Sequence, residues 1–320
     1  MEARLVNTIP AGKEWQYEPK WDGFRCLAFK DGTNVELQSK SGQSLGRYFP
    51  ELISALQEIK SHKFVLDGEI VIPMDGSFSF DELLQRIHPA ESRVQKLSQA
   101  YPANMIVFDL LVFGDWKLLL SQPLEERRRL LETFFAQYLA QNPTFQLSPA
   151  TRQIDIARRW LKTAGGKPDG IMAKRLDITY QSGERTGMQK IKRLRTADCV
   201  VGGFRYAEGR ALGSLLLGLY DDGLLHHVGF TANFPQPERK ALLQKVEPLI
   251  ESPGFTGNAP GGSTRRSAEW QPLKPKLVVE VQYDHFTGNR FRHGTKFLRW
   301  RPDKAPKSCS LDQVKPGSQA

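Results

Sequence analysis

A lysine close to charged residues and a glycine gives the sharpest chemical signal in this sequence. Residues 18–25 read EPKWDGFR, so Lys20 is followed by the carboxylate of Asp22 and the guanidinium of Arg25. A lysine amine attacks phosphorus only when neutral, and at its ordinary pKa of about 10.4 roughly one in a few thousand is neutral at pH 7. Burial and nearby cations lower that pKa. The stretch predicts a nucleophilic lysine, although an ordinary strand lysine before a turn has the same local pattern.

Two carboxylates further along the chain are candidate metal ligands. Glu69 ends the triplet DGE at 67–69, and Asp169 begins the run DGIMAK at 169–174. Carboxylate oxygens are the ligands that a hard cation such as Mg²⁺ prefers. A bound metal would screen phosphate charge and stabilise a transition state.

Three lysines and one aromatic residue complete the candidate site. Lys174, Lys190 and Lys192 lie on predicted strands, and Lys190 and Lys192 share one face because they are two residues apart. Cations on that face would bind phosphate and lower the pKa of Lys20. The ring of Phe108 offers an apolar surface on which a purine could stack.

The elements that must position these residues follow from apolar periodicity. Strands are predicted at 24–29, 34–38, 64–72, 104–113, 170–175 and 188–194, and helices at 50–59, 80–87, 124–139 and 154–163. Lys20 would then lie between strands. From residue 198 the pattern changes to short strands at 198–206, 214–220, 224–230 and 276–283, with one helix at 237–250 and a loop at 252–267. The sequence predicts an α+β domain at 1–196, a small β-barrel of the OB-fold type at 197–306 and a polar tail at 307–320.

Charge and composition narrow the class of partner. The net charge is +10, and residues 172–210 and 285–307 carry net charges of +5 and +6, so the rest of the chain is almost neutral. Concentrated basic segments favour a polyanionic partner such as nucleic acid. No run of eighteen apolar residues and no secretory signal are found, which predicts a cytoplasmic protein without a membrane span. The three cysteines form no CxxC pair, and the compact organisation favours a monomer.

The motifs occur in the order that is typical of the covalent nucleotidyltransferases, from Glu18 to Lys304, and the chain resembles that superfamily. It comprises ATP-dependent DNA ligases, RNA ligases and mRNA capping enzymes. The resemblance implies an adenylation domain of antiparallel sheets with flanking helices, followed by the OB domain. It also implies that Lys20 takes AMP from ATP as a phosphoramide, with Mg²⁺, or Mn²⁺ in its place, as cofactor.

Residue roles are carried over from the matching motifs. Catalytic roles are implied for Lys20, Asp22, Arg25, Lys190 and Lys192. Contacts to ATP or AMP are implied for Glu18, Lys20, Arg25, Glu69, Phe108, Lys174, Lys190, Lys192, Arg301 and Lys304. DNA contacts are implied for Lys40, Arg47, Arg290 and Arg292, and metal ligation for Glu69 and Asp169. In two places the chain departs from the family pattern: Asp169 stands where glutamate is usual, and Met188 and Gln189, rather than a bulky aromatic, precede Lys190.

The resemblance is strongest to compact bacterial DNA ligases of the LigC type, related to the ligase module of LigD. The runs YDH at 283–285 and RFRHG at 290–294 carry it, and Lys20 lies too near the first residue for the helical domain that precedes this lysine in eukaryotic ligases. The implied activity is ATP-dependent sealing of 5′-phosphate/3′-hydroxyl nicks in duplex DNA during repair, with repair or end-joining proteins as further partners. The alternatives are an RNA ligase, a capping-type guanylyltransferase, or a non-catalytic OB-fold protein.

Overall fold

The computed structural model of the protein describes residues 1–74, 76–115, 117–163, 168–261 and 269–315. The chain divides into two compact units, Met1–Arg193 and Leu194–Ala320. The division lies three residues before the boundary predicted from the sequence. An α+β unit followed by a β-rich unit confirms the predicted fold class.

The first unit alternates strands and helices along the chain. Its strands are β1 (Arg4–Leu5), β2 (Trp15–Trp21), β3 (Phe24–Asp31), β4 (Asn34–Ser39), β5 (Lys63–Val71), β6 (Pro73–Met74), β7 (Ser77–Phe78), β8 (Asn104–Phe113), β9 (Lys117–Leu118), β10 (Phe145–Leu147), β11 (Pro168–Arg175) and β12 (Met188–Lys192). Its helices are α1 (Pro50–Gln57), α2 (Phe80–Gln85), α3 (Glu91–Ala100), α4 (Leu124–Phe134) and α5 (Ile154–Thr163). A 3-10 turn covers Gly46–Tyr48, and α4 continues as a π-helical turn, Phe135–Leu139.

Two sheets carry the candidate site. One has the strand order β1-β12-β11-β2, and the other has the order β10-β8-β5-β3-β4 with β9 beside β8. Pairing is antiparallel except at β1–β12 and β10–β8. The second sheet packs on a core that includes Phe49, Leu52, Phe64 and Phe134. The predicted strand 104–113 and helix 154–163 are found with those bounds, and the other predicted elements of this unit differ by a few residues at their ends.

The prediction that Lys20 lies between strands was wrong, since it lies inside β2. The alternation of β2 is visible in retrospect: Trp15 and Tyr17 are buried in a small core with Ala157 of α5, while Glu18 and Lys20 lie on the other face. Pro19 and the neighbouring charges hid this pattern, because proline and acidic residues are depleted in strands. Helix α3 was also missed, since its mixed composition gives only a weak apolar stripe.

The second unit is a small β-barrel with one α-helix among its described residues. Its elements are β13 (Arg195–Tyr206), β14 (Leu212–Asp221), β15 (Leu224–Thr231), α6 (Gln236–Val246), β16 (Gln271–Pro272), β17 (Val278–Tyr283), β18 (Phe286–Thr287), β19 (Arg290–Phe291) and β20 (Lys296–Trp300). The sheet order is β15-β14-β13-β17-β20. Its two edges meet where Thr231 pairs with Thr295, whose carbonyl accepts from the Thr231 hydroxyl at 3.0 Å. This closure satisfies backbone groups that an open sheet would expose, as expected for an OB-type barrel.

The last described stretch of the chain differs from the predicted polar tail. Residues 306–314 form two 3-10 turns, and Cys309, Leu311 and Val314 are buried in the core of the second unit. These apolar residues stand singly among polar ones, so no periodic pattern revealed them. The predicted loop 252–267 is described only as far as residue 261. Among the described residues, none of the helices is both long and apolar enough to span a membrane.

Candidate active site

Three paired strands bring the predicted lysines onto one face. In the register of β2, β11 and β12, Lys20 lies opposite Gly170, and Gly170 lies opposite Lys192. In the next row on that face Glu18 lies opposite Met172, which lies opposite Lys190. Because side chains alternate along a strand, these residues point away from the apolar core under α5.

Glycines allow this close approach at two positions. A Cβ atom on Gly170 would lie 2.1 Å from the carbonyl oxygen of Ile191, and one on Gly23 would lie 2.1 Å from that of Ile70. Neither position tolerates a side chain without backbone movement. The glycines of the motifs DGIMAK and KWDG are therefore explained by backbone packing around the site.

The second sheet supplies the opposite set of residues. Arg25 of β3 pairs with Glu69 of β5, and Phe108 of β8 is the extra residue at an irregularity, since Asp67 pairs with Asp109 and Gly68 with Val107. Such a bulge redirects a side chain. A cavity of about 230 Å³ is lined by eight predicted site residues: Glu18, Lys20, Arg25, Lys40, Glu69, Phe108, Lys174 and Lys190.

The nucleophile candidate has a direct acidic partner. The Lys20 ammonium donates a short hydrogen bond to Oδ2 of Asp169, and Nζ of Lys192 lies 3.6 Å from the same oxygen. Asp169 is buried, whereas the Lys20 side chain is 20% exposed. The carboxylate therefore orients the Lys20 amine and holds Lys192 beside it. Its shorter side chain, in place of the usual glutamate, suffices for both contacts.

A buried ion pair lies beside the aromatic residue. Nζ of Lys174 is 2.8 Å from Oε2 of Glu18 and 4.5 Å from the centre of the Phe108 ring. The other Glu18 oxygen accepts a hydrogen bond from the side-chain amide of Gln16 at 2.9 Å. These contacts fix a charged, hydrogen-bonding edge next to an apolar ring, an arrangement suited to a purine base.

Arg25 forms an ion pair with the buried carboxylate of Asp67. It donates to both oxygens of Asp67, at 3.0 and 2.6 Å, and the Tyr180 hydroxyl donates to Asp67 at 2.9 Å. Burial lowers the pKa of the Arg25 guanidinium, but the Asp67 carboxylate outweighs it, so the pKa is raised above its ordinary value. Arg127 donates two hydrogen bonds, of 2.9 and 3.0 Å, to the carboxylate of Asp109, the residue after Phe108. Buried ion pairs therefore fix Arg25 and the backbone next to Phe108, two residues that line the cavity.

Burial shifts the pKa values of two side chains that line the cavity, Glu69 and Lys190. Burial raises the pKa of Glu69 to about 7, against the opposing effect of Lys20 and Arg25. Its Oε1 accepts from the Gly23 amide at 3.2 Å. Burial, followed by repulsion from Lys192 and Lys20, lowers the pKa of Lys190. Burial therefore favours the neutral form of both side chains, the protonated acid of Glu69 and the free amine of Lys190.

Three further residues of the first unit were predicted to belong to the site: Asp22, Lys40 and Arg47. Asp22 is half-buried in the turn between β2 and β3. Lys40 lines the cavity and an adjoining open cleft of about 990 Å³, and its ammonium lies 2.9 Å from a Glu2 carboxylate oxygen. Arg47 stacks over Tyr48 at 5.0 Å and donates to the Pro89 carbonyl at 2.9 Å.

Four predicted residues belong to the second unit. Arg290 is exposed and Arg292 half-buried, at the end of the hairpin formed by β18 and β19. Arg301 and Lys304 follow β20, and both contact the carboxylate of Asp198 in β13.

Sequence reasoning missed several residues around the site. Met172 lines the cavity, Gln16 supports Glu18, and Asp67 and Tyr180 support Arg25. The period-two spacing of Gln16 with Glu18, and of Met172 with Lys174, was an available signal. Tyr180 lies 113 residues from Asp67 and has no local signal in the sequence.

Comparison with known proteins identifies relatives over the whole chain. The model of the ATP dependent DNA ligase domain matches residues 3–192, and that of the ATP dependent DNA ligase C terminal region matches residues 208–304. DNA ligase C of Mycobacterium tuberculosis is 44% identical, covering 98% of this chain and 92% of that protein. DNA ligase C2 of Mycolicibacterium smegmatis is 43% identical over 98% and 93%. A solved Lig E DNA ligase shares the fold, with a TM-score of 0.59 and 19% identity over 94% of this chain and all of that one.

Proposed function

The chain belongs to the ATP-dependent DNA ligases, and from that premise we propose that the cavity around Lys20 is its adenylation site. The ATP-dependent activity follows from the family and its full-length relatives. The observation that supports the site is the convergence of Lys20, Lys190, Lys192 and Arg25 with an acidic and aromatic wall. The alternatives of an RNA ligase, a capping enzyme and a non-catalytic protein have no such support from the relatives.

In the first step Lys20 Nζ attacks the α-phosphorus of ATP. The Lys20 ammonium first gives one proton to its hydrogen-bond partner Asp169. A phosphorus–nitrogen bond then forms, the bond from that phosphorus to the bridging oxygen breaks, and pyrophosphate leaves with the second amine proton. Asp169 orients the amine before attack, while Lys190 and Lys192 stabilise the charge on the phosphate oxygens. The base stacks on Phe108, with its polar edge toward Glu18 and Lys174.

The next two steps transfer AMP and seal the nick. An oxygen of the 5′-phosphate attacks the Lys20-bound phosphorus and releases the lysine amine. The 3′-hydroxyl then attacks the 5′-phosphate, a phosphodiester bond forms, and AMP leaves. Lys40 is proposed to hold the 5′-phosphate, since it borders both the cavity and the adjoining cleft.

The acidic residues suit a divalent cation. Glu69 offers a carboxylate whose pKa of about 7 leaves it partly protonated at neutral pH, so a cation would favour its ionised form. Glu69 and Asp169 would hold Mg²⁺, or Mn²⁺ in its place, which when bound would supply charge screening for the phosphates.

DNA binding is proposed to rest on phosphate contacts by Lys40, Arg47, Arg290 and Arg292. Such contacts follow backbone shape and are independent of base sequence. We further propose that the enzyme acts in the cytoplasm as a monomer in DNA repair, with repair or end-joining proteins as partners.

The direct test is sealing of a 5′-phosphorylated nick with ATP and Mg²⁺, comparing all-DNA, RNA-containing and all-RNA duplexes. Sealing of the DNA nick is expected, together with its loss in Lys20→Ala. The matched control is Lys96→Ala, which removes an exposed lysine from α3. A substrate preference for the all-RNA duplex would contradict the proposal.

A further inference from the structure

Arg301 of the second unit has its hydrogen-bonding edges taken by carboxylates. Its Nε and Nη2 donate to Asp303 at 2.9 and 2.7 Å, and its Nη1 donates to both oxygens of Asp198 at 2.9 and 3.1 Å. Its side chain is only 14% exposed. A guanidinium grips a carboxylate or a phosphate through paired N–H groups on one edge. Asp303 therefore occupies the Nε–Nη2 edge of Arg301, and Nη1 is bonded to Asp198 and lies 3.7 Å from Glu280.

Asp198 also contacts a second cation, Lys304, three residues after Arg301. Its Oδ2 lies 3.7 Å from Nζ of Lys304. Asp198 is thus shared by both residues of this unit for which the resemblance implies contacts to ATP, whereas Asp303 contacts Arg301.

The position of Asp198 is fixed by the chain segment that follows β20. The Asp198 amide donates to Oε1 of Gln313, and Nε2 of Gln313 donates to the Asp198 carbonyl, both at 2.9 Å. Gln313 lies in the turn Leu311–Val314, whose end residues are buried in the core. The turn Leu311–Val314 therefore fixes the backbone of Asp198 through Gln313, while the Asp198 carboxylate contacts Arg301.

We propose that Asp198 is a positioning residue that acts as the resting counter-ion of Arg301 and Lys304 and is displaced by the triphosphate of ATP. This inference rests on the proposed function and on the ATP contacts that the family resemblance implies for these two cations. Without the Asp198 charge, Arg301 would still contact Asp303 and would lie 3.7 Å from Glu280, but Nη1 of Arg301 and Nζ of Lys304 would each lose a carboxylate partner and would bind a polyanion, including the DNA backbone, more readily. Asp198 neutralises them until the more highly charged triphosphate competes. Only molecules in which Asp198 has released the two cations can bind the triphosphate. The apparent affinity for ATP is therefore lower than the intrinsic affinity, in proportion to the fraction of such molecules.

The test is Asp198→Asn, assayed for self-adenylation with α-labelled ATP. The substitution keeps the shape and both backbone bonds to Gln313 but removes the charge. The apparent KM for ATP is expected to fall about three- to tenfold, and inhibition by free pyrophosphate is expected to strengthen in the same direction. The matched control is Asp312→Asn, which removes a carboxylate of the same unit from its 2.6 Å contact with Lys315. Its KM is expected to equal that of the wild type.

Arg301→Ala, measured in parallel, separates the two levels of the proposal. If Arg301→Ala leaves the KM for ATP unchanged, the proposed role of Arg301 fails, and the counter-ion role fails with it. If Arg301→Ala raises the KM but Asp198→Asn raises it or leaves it unchanged, only the counter-ion role is overturned. Should Asp198→Asn unfold the second unit, Gln313→Ala is the second variant. It loosens the backbone of residue 198 and is expected to lower the KM, and an unchanged or raised KM overturns the proposal.

Discussion

Replacing Lys174 with methionine is expected to destabilise the first unit by about 3–5 kcal/mol, the cost of breaking a buried ion pair from one side. The Lys174 and Glu18 side chains are only 5% and 2% exposed, and their charged atoms are 2.8 Å apart. At an effective dielectric constant of about 20, the bare attraction is on the order of 6 kcal/mol. After the change, the 2.9 Å hydrogen bond from the Gln16 side chain remains to offset burial of the Glu18 charge.

The double variant Glu18→Gln/Lys174→Met distinguishes pairing from simple packing. Because it removes both charges, it is expected to cost at least about 2 kcal/mol less than the sum of the two single variants. The control is Arg158→Met in α5, whose ion pair with Asp155 is largely exposed at 61% and 77%. That change is expected to cost less than about 1 kcal/mol.

Urea unfolding followed by tryptophan fluorescence and circular dichroism is the assay. The chain has two units, so two transitions are expected, and only the one assigned to the first unit should move. A cost of less than about 1 kcal/mol for Lys174→Met, or a double variant that equals the sum of the two single variants, would show that the ion pair does not stabilise the first unit.

Three further predictions concern other parts of the molecule. Glu69 has an ordinary pKa of 4.5 and a folded pKa of about 7, so between these values the folded protein binds a proton that the unfolded chain has lost. The contribution of Glu69 to stability is therefore present below about pH 4.5 and is lost as the pH rises toward 7. Urea titrations of the wild type should show the free energy of unfolding falling over this pH range, and the fall should be smaller in Glu69→Gln. Lys30 is buried and donates to three carbonyls at the end of α1, so Lys30→Met should lower the free energy of unfolding by about 2–4 kcal/mol, and an unchanged melting temperature would contradict this. Arg290→Ala should weaken binding of nicked duplexes equally across sequences and reduce the slope of log K against log salt by about 1, while an unaltered slope would remove Arg290 from the interface.

Much of the fold could be predicted from local patterns. Strand β8 and helix α5 were found with the predicted bounds because each has a clear apolar period. Strand β2 was missed because Pro19 and charged neighbours obscure its alternation, and the segment 306–314 because its buried residues are isolated among polar ones. The predicted strand lysines do share one face, since that follows from spacing alone.

The detailed partners in the site depended on long-range contacts. Asp169 contacts a lysine 149 residues earlier, and Asp198 contacts an arginine 103 residues later. No periodic pattern encodes such pairs. The bulge that redirects Phe108 is likewise set by the pairing of β5 with β8 and has no local sequence signal.

Lys20 is expected to carry the AMP. The protein should be incubated with ATP and Mg²⁺ without DNA, digested, and mapped by mass spectrometry. We predict one added AMP on the peptide that contains Lys20, and in Lys20→Ala neither this adduct nor nick sealing. An AMP adduct on Lys190 or Lys192 in the wild-type protein, or a persistent adduct in Lys20→Ala, would contradict the account.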